Sequence, residues 1–439
     1  MTVTTMANNK NTKVPNVPNS TDKGNTIRNV PLLRFPEFTE EWKEHCLAEY
    51  LDFKNGLNPS ANKFGSGIKF ISVMDILNNN FITYDCIRTS VKITPEEQVA
   101  FAVEKGDMLF QRSSETLEDV GRANVYMDEN PAVFGGFVIR GKKKTEYNPM
   151  FFRYLLASPY ARKKIIPMGA GAQHFNIGQD GLSKVKLHFP ILQEQQKIAA
   201  LLRLIDERIT TQNKIIEDLN KLKSAIIEKL FCSPKDKQPE VRLHGFSENW
   251  QIICLSEICH RIRCKNTEEQ CKRVLTIAAQ YGLVSQEEFF NKNVASENLS
   301  GYYLLQNGDF AYNKSYSGDY VWGTVKRLDN YEQGVLSPLY ICFRPDSAKV
   351  DSDFLVYYFE SKKWHKAVAD IAGEGARNHG LLNISVIDYF NTIHCIPSVD
   401  EQKQIAQIMS ALLSKLAREQ RILNCYTTQR QYLLRQMFI

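Results

Sequence analysis

A stretch of 42 residues occurs twice in the chain, and each copy has the pattern of one long helix. The first copy runs from Pro190 to Phe231 as PILQEQQKIAALL…, and the second begins 207 residues later at Pro397 as PSVDEQKQIAQIM…. An initial proline and early carboxylates suit a helix start, because the first N–H groups need no partner and the dipole favours negative charge. Helices of this length far exceed the ~11–12 residues usual in globular domains, so they constrain the fold strongly.

Both copies carry a heptad seam with polar interruptions at the same positions. The seam includes Ile198, Leu202, Ile205, Ile209, Ile216 and Leu219 in the first copy, and Ile405, Met409, Leu412, Leu416, Leu423 and Leu433 in the second. Gln212 and Lys223 interrupt the first seam, and Glu419 and Arg430 interrupt the second. Since polar seam residues fix register, the pattern predicts a coiled coil registered by these residues. Two amphipathic helices, each packed on its own domain, are the alternative.

The repeat extends over whole domains. RFPEFTEEW, starting at Arg34, returns as RLHGFSENW from Arg242, and KGDMLF and NGDFAY each place a Gly-Asp turn before an apolar strand. An amphipathic helix follows in each half, around residues 150–161 and 353–368. Glycine-rich turns (MGAGAQH and AGEGARNH) and a strand ending at Pro190 or Pro397 come next. The fold class is therefore α/β (α+β), with two similar mixed domains and two long helices.

The order of segments predicts how the helices run. We expect a disordered tail at 1–30, which is rich in Asn, Thr, Pro and Lys. Domains follow at 31–189 and 233–396, with long helices at 190–232 and 397–439. The nine-residue linker from Cys232 to Glu240 spans at most ~30 Å, whereas the first helix is ~60 Å long. The second helix then pairs most easily by running back antiparallel, which gives a pseudo-two-fold arrangement.

Composition excludes few functions. With 55 basic against 49 acidic residues and a formal charge of +6, the chain permits a nucleic-acid partner without requiring one. No segment approaches the ~18 apolar residues of a membrane span, so we expect a cytoplasmic protein. The ten cysteines lack a disulfide or zinc spacing, even where Cys254, Cys259, Cys264 and Cys271 lie near His260, and we expect reduced thiols.

Catalytic motifs are incomplete. Asp346, Glu360 and Lys362 match the pattern of metal-dependent nucleases, but Glu360 lies in a helical pattern where that fold needs a strand. Residues 148–151 resemble an adenine-methyltransferase motif without its second proline. Because no catalytic set recurs in both halves, we expect a non-catalytic chain, with the metal-dependent nuclease as the alternative.

The two halves differ most between their shared segments. QRSSETLEDVGR (residues 111–122) occupies the place of NKSYSGDYVWGTVKR (residues 313–327), and little matches beyond position. A duplicated scaffold with unlike polar loops suggests two related domains that recognise different targets. Neutral drift of surface loops would also produce this divergence.

These features together resemble one known family. The tandem domain–helix repeat, the RFPEF…W opening and the P-x-x-x-E-Q helix starts make residues 31–439 similar to the specificity subunit of type I restriction-modification enzymes. The resemblance implies two target-recognition domains that each read one half of a bipartite, asymmetric double-stranded DNA sequence, with the helices as a spacer. It also implies two methyltransferase (modification) subunits docked on the helices, and restriction subunits. S-adenosylmethionine, ATP and Mg would belong to those partners, with no cofactor on this chain.

Candidate DNA-binding residues then follow from side-chain chemistry. Lys and Arg are expected at phosphates, and Arg, Gln, Asn, Ser or Thr at base edges. The first domain offers Gln111, Arg112, Ser113, Ser114, Arg122, Gln173, His174 and Asn176, and the second offers Asn313, Lys314, Ser315, Tyr316, Lys326, Arg327, Arg377, Asn378 and His379. For each residue the alternative is a solvated loop side chain.

Overall fold

A computed structural model describes residues 29–278, 281–290, 298–315, 320–373 and 381–439. Contacts divide the chain into two units. Unit 1 comprises Met1–Arg208 with Tyr426–Ile439, and unit 2 comprises Ile209–Cys425. Both boundaries fall inside the two long helices, so each unit contains one mixed domain and a part of each helix. Most of the predicted tail, residues 1–28, lies outside the described residues.

Unit 1 alternates short strands and helices. Its strands are β1 (Lys43–Cys46), β2 (Leu51–Asn55), β3 (Phe64–Ile71), β4 (Ser90–Val91), β5 (Met108–Gln111), β6 (Ser113–Ser114), β7 (Ala123–Val125), β8 (Val133–Phe134), β9 (Val138–Lys143), β10 (Phe175–Asn176) and β11 (Lys186–Phe189). Its helices are α1 (Leu47–Tyr50), α2 (Val73–Asn78), α3 (Pro95–Ala100), α4 (Pro149–Ala157), α5 (Pro159–Ile165) and α6 (Gln179–Ser183), with 3₁₀ turns at Ala61–Lys63 and Ile166–Met168. The long helix α7 (Leu192–Leu230) begins in unit 1.

The core of unit 1 lies around a four-stranded antiparallel sheet of order β2-β9-β5-β7. A second sheet has the order β4-β3-β8, in which β3 and β8 are parallel, and β1 pairs with β11. The predicted Gly-Asp turn lies immediately before β5. Gly106 has φ +96°, a backbone angle that favours glycine. Asp107 is buried and accepts the backbone N–H groups of Glu104 and Lys143, each at 3.0 Å.

Unit 2 opens with the same strand, helix and strand as unit 1 and ends with similar short helices and a strand before its long helix, but the elements between them differ. Its strands are β12 (Gln251–Cys254), β13 (Cys259–Arg261), β14 (Leu275–Ala278), β15 (Gly282–Ser285), β16 (Tyr303–Gln306), β17 (Phe310–Asn313), β18 (Thr324–Arg327), β19 (Gln333–Leu336), β20 (Ile341–Pro345) and β21 (Ile393–Ile396). Its helices are α8 (Leu255–Ile258), α9 (Gln286–Phe290), α10 (Ser352–Glu360), α11 (His365–Ile371) and α12 (Val386–Phe390), and the second long helix is α13 (Val399–Gln436).

The sheets confirm the predicted duplication. The order β13-β20-β17-β18 in unit 2 corresponds to β2-β9-β5-β7 in unit 1, and the pair β12–β21 corresponds to β1–β11. Gly308 precedes β17 with φ +88°, as Gly106 precedes β5. The buried Asp309 accepts the Gln306 N–H at 2.7 Å and both Arg344 guanidinium donors. Each domain is thus built from one scaffold.

The prediction of a single amphipathic helix in each domain is wrong in its extent. Residues 150–161 divide into α4 and α5 at Ser158, whose ψ of 149° is extended, because a residue before proline avoids the helical region. The Ser158 hydroxyl accepts the Ala161 N–H at 3.2 Å and so caps α5. In unit 2 the helix ends at Ser361, where the backbone is again extended, and α11 begins four residues later.

The two long helices are confirmed, with 39 residues in α7 and 38 in α13. In unit 1, Arg430 of α13 donates to Asp206 of α7 at 2.5 Å, and the Arg208 guanidinium lies over the Tyr426 ring. A higher number on one helix therefore faces a lower number on the other, so the helices run antiparallel there. In unit 2, the Gln212 amide donates to the Glu419 carboxylate at 2.8 Å, as predicted for a polar register. Lys223 instead pairs with Glu360 of α10 at 3.1 Å.

Burial of the predicted seam changes along the helices. Ile198, Leu202, Ile205, Ile405, Met409, Leu412 and Leu433 are buried, whereas Ile209, Ile216, Leu219, Leu416 and Leu423 are half-buried. The buried group lies near the helix ends, where a domain adds its own side chains. Phe438, beyond the end of α13, packs against Trp42 and Phe151 of unit 1; Phe231, beyond the end of α7, packs against Phe354 of unit 2.

A buried glutamate joins each domain to the start of a long helix. Glu194 accepts the Arg34 guanidinium at 2.7 Å through both carboxylate oxygens and the Trp42 indole N–H at 3.2 Å. In unit 2, Glu401 binds Arg242 at 3.0 and 2.8 Å in the same way. Paired donors in this geometry form strong charge-assisted bonds. The arginines of the two openings and the helix-start glutamates therefore recur because they bind one another, whereas the Trp250 indole N–H, unlike that of Trp42, has no hydrogen-bond partner among the described residues.

The neighbouring glutamine makes a second connection. Gln195 donates to the Pro190 carbonyl at 3.0 Å and accepts the Asn148 N–H at 3.0 Å. Asn148 is the N-cap of α4 and accepts the Phe151 N–H. Gln402 repeats both bonds in unit 2, to the Pro397 carbonyl and the Asp351 N–H. The Glu-Gln pair thus fixes the long helix to the opening segment and to the following helix of its domain.

Glu194→Ala is expected to lower the free energy of unfolding by about 3–5 kcal/mol, because it leaves a mostly buried guanidinium and an indole N–H without their acceptor. Glu207→Ala is the matched control. Glu207 is exposed and pairs only across one helical turn with Arg203, so its loss should change stability by at most about 0.5 kcal/mol. Denaturant unfolding measures both, and equal effects would contradict the assignment.

Acid should destabilise unit 2 through His394. This side chain is buried between the hydroxyls of Tyr358 at 3.0 Å and Thr392 at 2.8 Å, and burial lowers its pKa from 6.5 to about 4. The unfolded chain therefore binds a proton that the folded chain does not, so stability is full above pH 6.5 and falls as the pH drops toward 4. The loss reaches about 3 kcal/mol near pH 4.

His394→Gln should remove that part of the pH dependence, because an amide keeps hydrogen-bonding groups without titrating. His244→Gln, at an exposed position, is the control and should keep the wild-type profile. Melting temperatures measured from pH 7 to 4 test this. Parallel profiles for wild type and His394→Gln would refute the assignment.

Candidate nucleic-acid interface

The candidate residues of unit 1 converge on two short strands. β6 pairs antiparallel with β10, which places Ser113 opposite Asn176 and Ser114 opposite Phe175. The Ser113 hydroxyl donates to the Asn176 side-chain oxygen. Two sequence segments about 60 residues apart therefore form one polar surface.

A tight hairpin presents the remaining polar residues of this surface. Ala170 and Asn176 exchange both backbone hydrogen bonds at 2.9 Å, and Gln173 and His174 are exposed at the tip. Gly171 has φ +146°, and a Cβ there would lie 1.9 Å from the His174 carbonyl oxygen. The glycine-rich turn is therefore a steric requirement of the hairpin.

Two of the predicted residues, Gln111 and Arg112, support the polar surface through hydrogen bonds to nearby backbone groups. Gln111 is only 5% exposed and donates from its amide to the Ser113 carbonyl at 2.9 Å, so it orients β6. Arg112 is half-buried, and its guanidinium donates to the Gly136 carbonyl at 3.3 Å. Its own carbonyl accepts the Ile177 N–H at 3.0 Å, which fastens the hairpin to the central sheet.

The Arg122 carbonyl accepts the Gln111 N–H at 2.7 Å, so Arg122 lies beside the end of β5. It forms an exposed ion pair with Asp119 at 2.7 Å and lines a cleft of about 400 Å³. Three further arginines line the same cleft, at positions 153, 162 and 430. Sequence reasoning missed these three because they lie on helices whose apolar periodicity indicated packing.

Unit 2 has the same backbone arrangement at this site but different side chains. The Lys314 carbonyl accepts the Leu382 N–H at 2.9 Å, as Arg112 does from Ile177 in unit 1. Ser315 bridges to Leu381, and its N–H donates to the Asn313 side-chain oxygen at 3.0 Å. Lys314 and Ser315 therefore occupy the places of Arg112 and Ser113.

The other candidates of unit 2 differ in how strongly their side chains are bound within the domain. Arg327 is largely committed to structure, because it binds Asp329 at 2.6 Å and Asp353 at 2.7 Å. Lys326 is half-exposed on β18. Tyr316, Arg377, Asn378 and His379 lie outside the described residues.

A basic segment of unit 2, at the end of β13 and just after it, was not predicted. Arg261, Arg263 and Lys265 are exposed, with Ile262 buried between the two arginines. A cleft of about 360 Å³ lies beside them and is also lined by His260 and Arg344. The sequence pattern that indicates this basic segment is the alternation HRIRCK, which lies outside the divergent loops.

The residues of the nuclease alternative have other partners. Glu360 ends α10 and pairs with Lys223, whereas Asp346 follows β20 and lies 3.7 Å from His260 and from Lys349. Across the part of the chain that the structure describes, no three His, Cys, Asp or Glu side chains are grouped to hold a metal ion. Within the same residues, no helix is long and apolar enough to cross a membrane.

Comparison with known proteins identifies the scaffold. The family model described as "Type I restriction modification DNA specificity domain" matches twice, at residues 39–221 and 247–425. The chain belongs to this family. It is a type I restriction-modification specificity subunit by family, with two target-recognition domains, and the resemblance drawn from the repeat is confirmed. The two matches fall on the two domains and include much of each long helix.

Named relatives agree with this assignment. The specificity subunit is 22% identical over 402 residues to the type I restriction enzyme MjaVIII specificity subunit of Methanocaldococcus jannaschii, covering 87% of each chain. It is 26% identical to the putative MjaX specificity subunit of the same organism over 49% of this chain and 52% of the relative. The chain thus matches about half the length of that relative.

Solved structures share the fold. The S subunit of a type I restriction-modification system from M. genitalium superimposes with a TM-score of 0.56 at 16% identity, covering 93% of this chain and 99% of that one. A chain from a structure described as the basis of complex assembly and conformational transition of the type I system gives a TM-score of 0.53 at 14% identity, covering 90% and 96%.

The hairpin of the specificity subunit should be sensitive to one added methyl group. Gly171→Ala is expected to open the turn, because the new Cβ would collide with the His174 carbonyl, a strain of order 1–3 kcal/mol. The Ala170 and Asn176 amides should then exchange hydrogen faster. Gly178→Ala is the control, since a Cβ there meets no atom within 4 Å. Equal exchange rates in both variants would contradict the steric assignment.

Proposed function

We propose that this chain confers DNA sequence specificity on a type I restriction-modification complex, with the unit 1 domain reading one half of an asymmetric, bipartite target and the unit 2 domain reading the other. The observation that carries the proposal is the common frame with unlike side chains. Arg112 and Ser113 in unit 1, and Lys314 and Ser315 in unit 2, occupy equivalent places beside a second segment of the same domain.

The two domains on one chain account for asymmetry in the target. A homodimer repeats one surface and therefore reads a palindrome. A single chain with two versions of a surface can read two unrelated half-sites. Arg112 and Lys314, which differ between the units, lie on that surface, whereas the Glu-Gln connections and the Gly-Asp turns are the same in both units. This distribution favours selection for different targets over neutral drift.

Each domain would divide its contacts between bases and phosphates. In unit 1, Ser113, Ser114, Gln173, His174 and Asn176 offer neutral donors and acceptors on one exposed surface, which suits base edges. In unit 2, Asn313, Lys314 and Ser315 take that role. The segment that carries Arg261, Arg263 and Lys265 supplies positive charge for the DNA backbone, which fixes orientation without reading sequence.

Catalysis would belong to partner subunits. We propose that two methyltransferase subunits bind the long helices and that restriction subunits join them in the cytoplasm, bringing S-adenosylmethionine, ATP and Mg. The chain itself would then be non-catalytic. Support comes from family membership and from the ion pairs that occupy Glu360 and Asp346.

Methylome sequencing of cells that express the chain with its methyltransferase should reveal one bipartite adenine motif. Replacing residues 50–185 with the corresponding segment of another family member should change one half of the motif and leave the other half intact. An exchange of the central part of unit 2, residues 258–392, should change the opposite half. An unchanged motif after either exchange would refute the proposal.

A further inference from the structure

Four arginines surround the cleft of unit 1 described above. Arg122 comes from the loop before β7, Arg153 and Arg162 come from α4 and α5, and Arg430 comes from the last part of α13. Asn79, Asn124 and Glu118 also line the cleft, which measures about 400 Å³. Positive charge thus converges on one concave surface from three parts of the chain.

The nearest carboxylate does not fully compensate this charge. Asp206 accepts Arg430 at 2.5 Å and the Tyr154 hydroxyl at 2.8 Å, and lies 3.6 Å from a terminal nitrogen of Arg153. Arg153 is only 8% exposed, yet among the described residues its Nε has no hydrogen-bond partner and its Nη1 has only the 3.6 Å ion pair with Asp206. Since buried polar groups are nearly always hydrogen-bonded, these guanidinium donors beside the cleft suit an anionic ligand.

The guanidinium of Arg162 is also incompletely hydrogen-bonded among the described residues. Its Nη2 donates to the carbonyls of Glu118 at 2.8 Å and Val120 at 2.6 Å, but its buried Nη1 has no hydrogen-bond partner among the described residues. Burial lowers the pKa of Arg162 to about 10, and the positive charge of Arg122 acts in the same direction. Asp119 acts against both effects but is paired with Arg122, so it leaves the Nη1 donor of Arg162 without a hydrogen bond.

Comparison with unit 2 shows whether the fold needs the charges of Arg153 and Asp206. Alignment of the N-caps Asn148 and Asp351 places Val356 at the position of Arg153, and the helix repeat places Leu413 at the position of Asp206. Both side chains pack against the core of unit 2. An apolar pair therefore serves the scaffold there, in line with the finding that apolar residues can replace buried ion pairs without loss of stability. The charged version in unit 1 needs another reason.

We propose that the arginine cleft of unit 1 binds one phosphodiester group of the DNA backbone. Guanidinium groups suit this ligand because their paired N–H donors match phosphate oxygens. The loop that carries Arg122 also connects β6 to β7, so the cleft is joined directly to the surface proposed to read bases. The inference rests on the proposed function, since it names a backbone contact of the domain that reads the first half-site.

Arg153→Val tests the cleft with the residue that unit 2 uses. Asp206 keeps Arg430 and Tyr154 as partners, so the variant should fold and melt at or above the wild-type temperature without DNA. Its slope of log affinity against log salt should fall by about 0.9, the value for one lost phosphate contact. Arg203→Gln is the matched control: it removes one exposed positive charge on α7 of the same unit, and its slope should equal that of wild type.

Equal slopes for Arg153→Val and wild type would overturn the proposal, as would an equal fall in both variants. Melting in inorganic phosphate, compared with chloride at the same ionic strength, separates the sources of phosphate. A phosphate-dependent rise that needs Arg153, without a change in slope, would mean that the cleft takes free phosphate instead of DNA. If Arg153→Val weakened only assembly with the methyltransferase, the ligand would be a protein carboxylate, and the proposal would be wrong.

A chain that bound no DNA at any salt concentration would refute the proposed function itself. The phosphate-dependent melting would still report on the cleft in that case, so the two failures are distinguishable.

Discussion

The buried Glu-Gln pair at the start of each long helix is the interaction on which the rest of the architecture depends. A helix of nearly 40 residues that is covered along only part of its length needs a rigid attachment, since a small error in angle at its start becomes a large displacement at its end. Glu194 supplies a charged bond to the opening segment, and Gln195 supplies two neutral bonds to the domain. The pair meets this need with side chains whose donors and acceptors are nearly all used, so burial carries little penalty.

Periodicity and repetition made the architecture predictable, whereas the partners of individual charges were not. The lengths of α7 and α13, the Gly-Asp turns and the antiparallel register at Gln212 all follow from local patterns. The seam position of Lys223 gave no indication that its partner would be Glu360, because the two residues are far apart in sequence. Gln111 was grouped with exposed loop residues although it ends a buried strand, since strand ends and loop starts look alike in a single sequence.

Polar residues in the seam fix the register of the two long helices within each unit. Gln212 is buried and donates to both the side-chain carboxylate and the backbone carbonyl of Glu419. A shift of one heptad would leave the amide against apolar side chains, which would cost the full desolvation of an unsatisfied group. In unit 1 the Arg430–Asp206 bond has the same effect. Apolar residues at these places would allow several registers of similar stability.

Duplication separates the charges that the scaffold needs from those that one domain has for itself. The Gly-Asp turn keeps its buried aspartate in both units, and a basic residue from the neighbouring strand, Arg140 or Arg344, faces it in each. An element retained in two domains with unlike polar surfaces has a structural role. Arg153 and Asp206 are charged in one unit and apolar in the other, although both domains fold on the same frame. Because a buried, incompletely paired guanidinium lowers stability unless something compensates it, its presence in one unit alone is better explained by a ligand than by the fold.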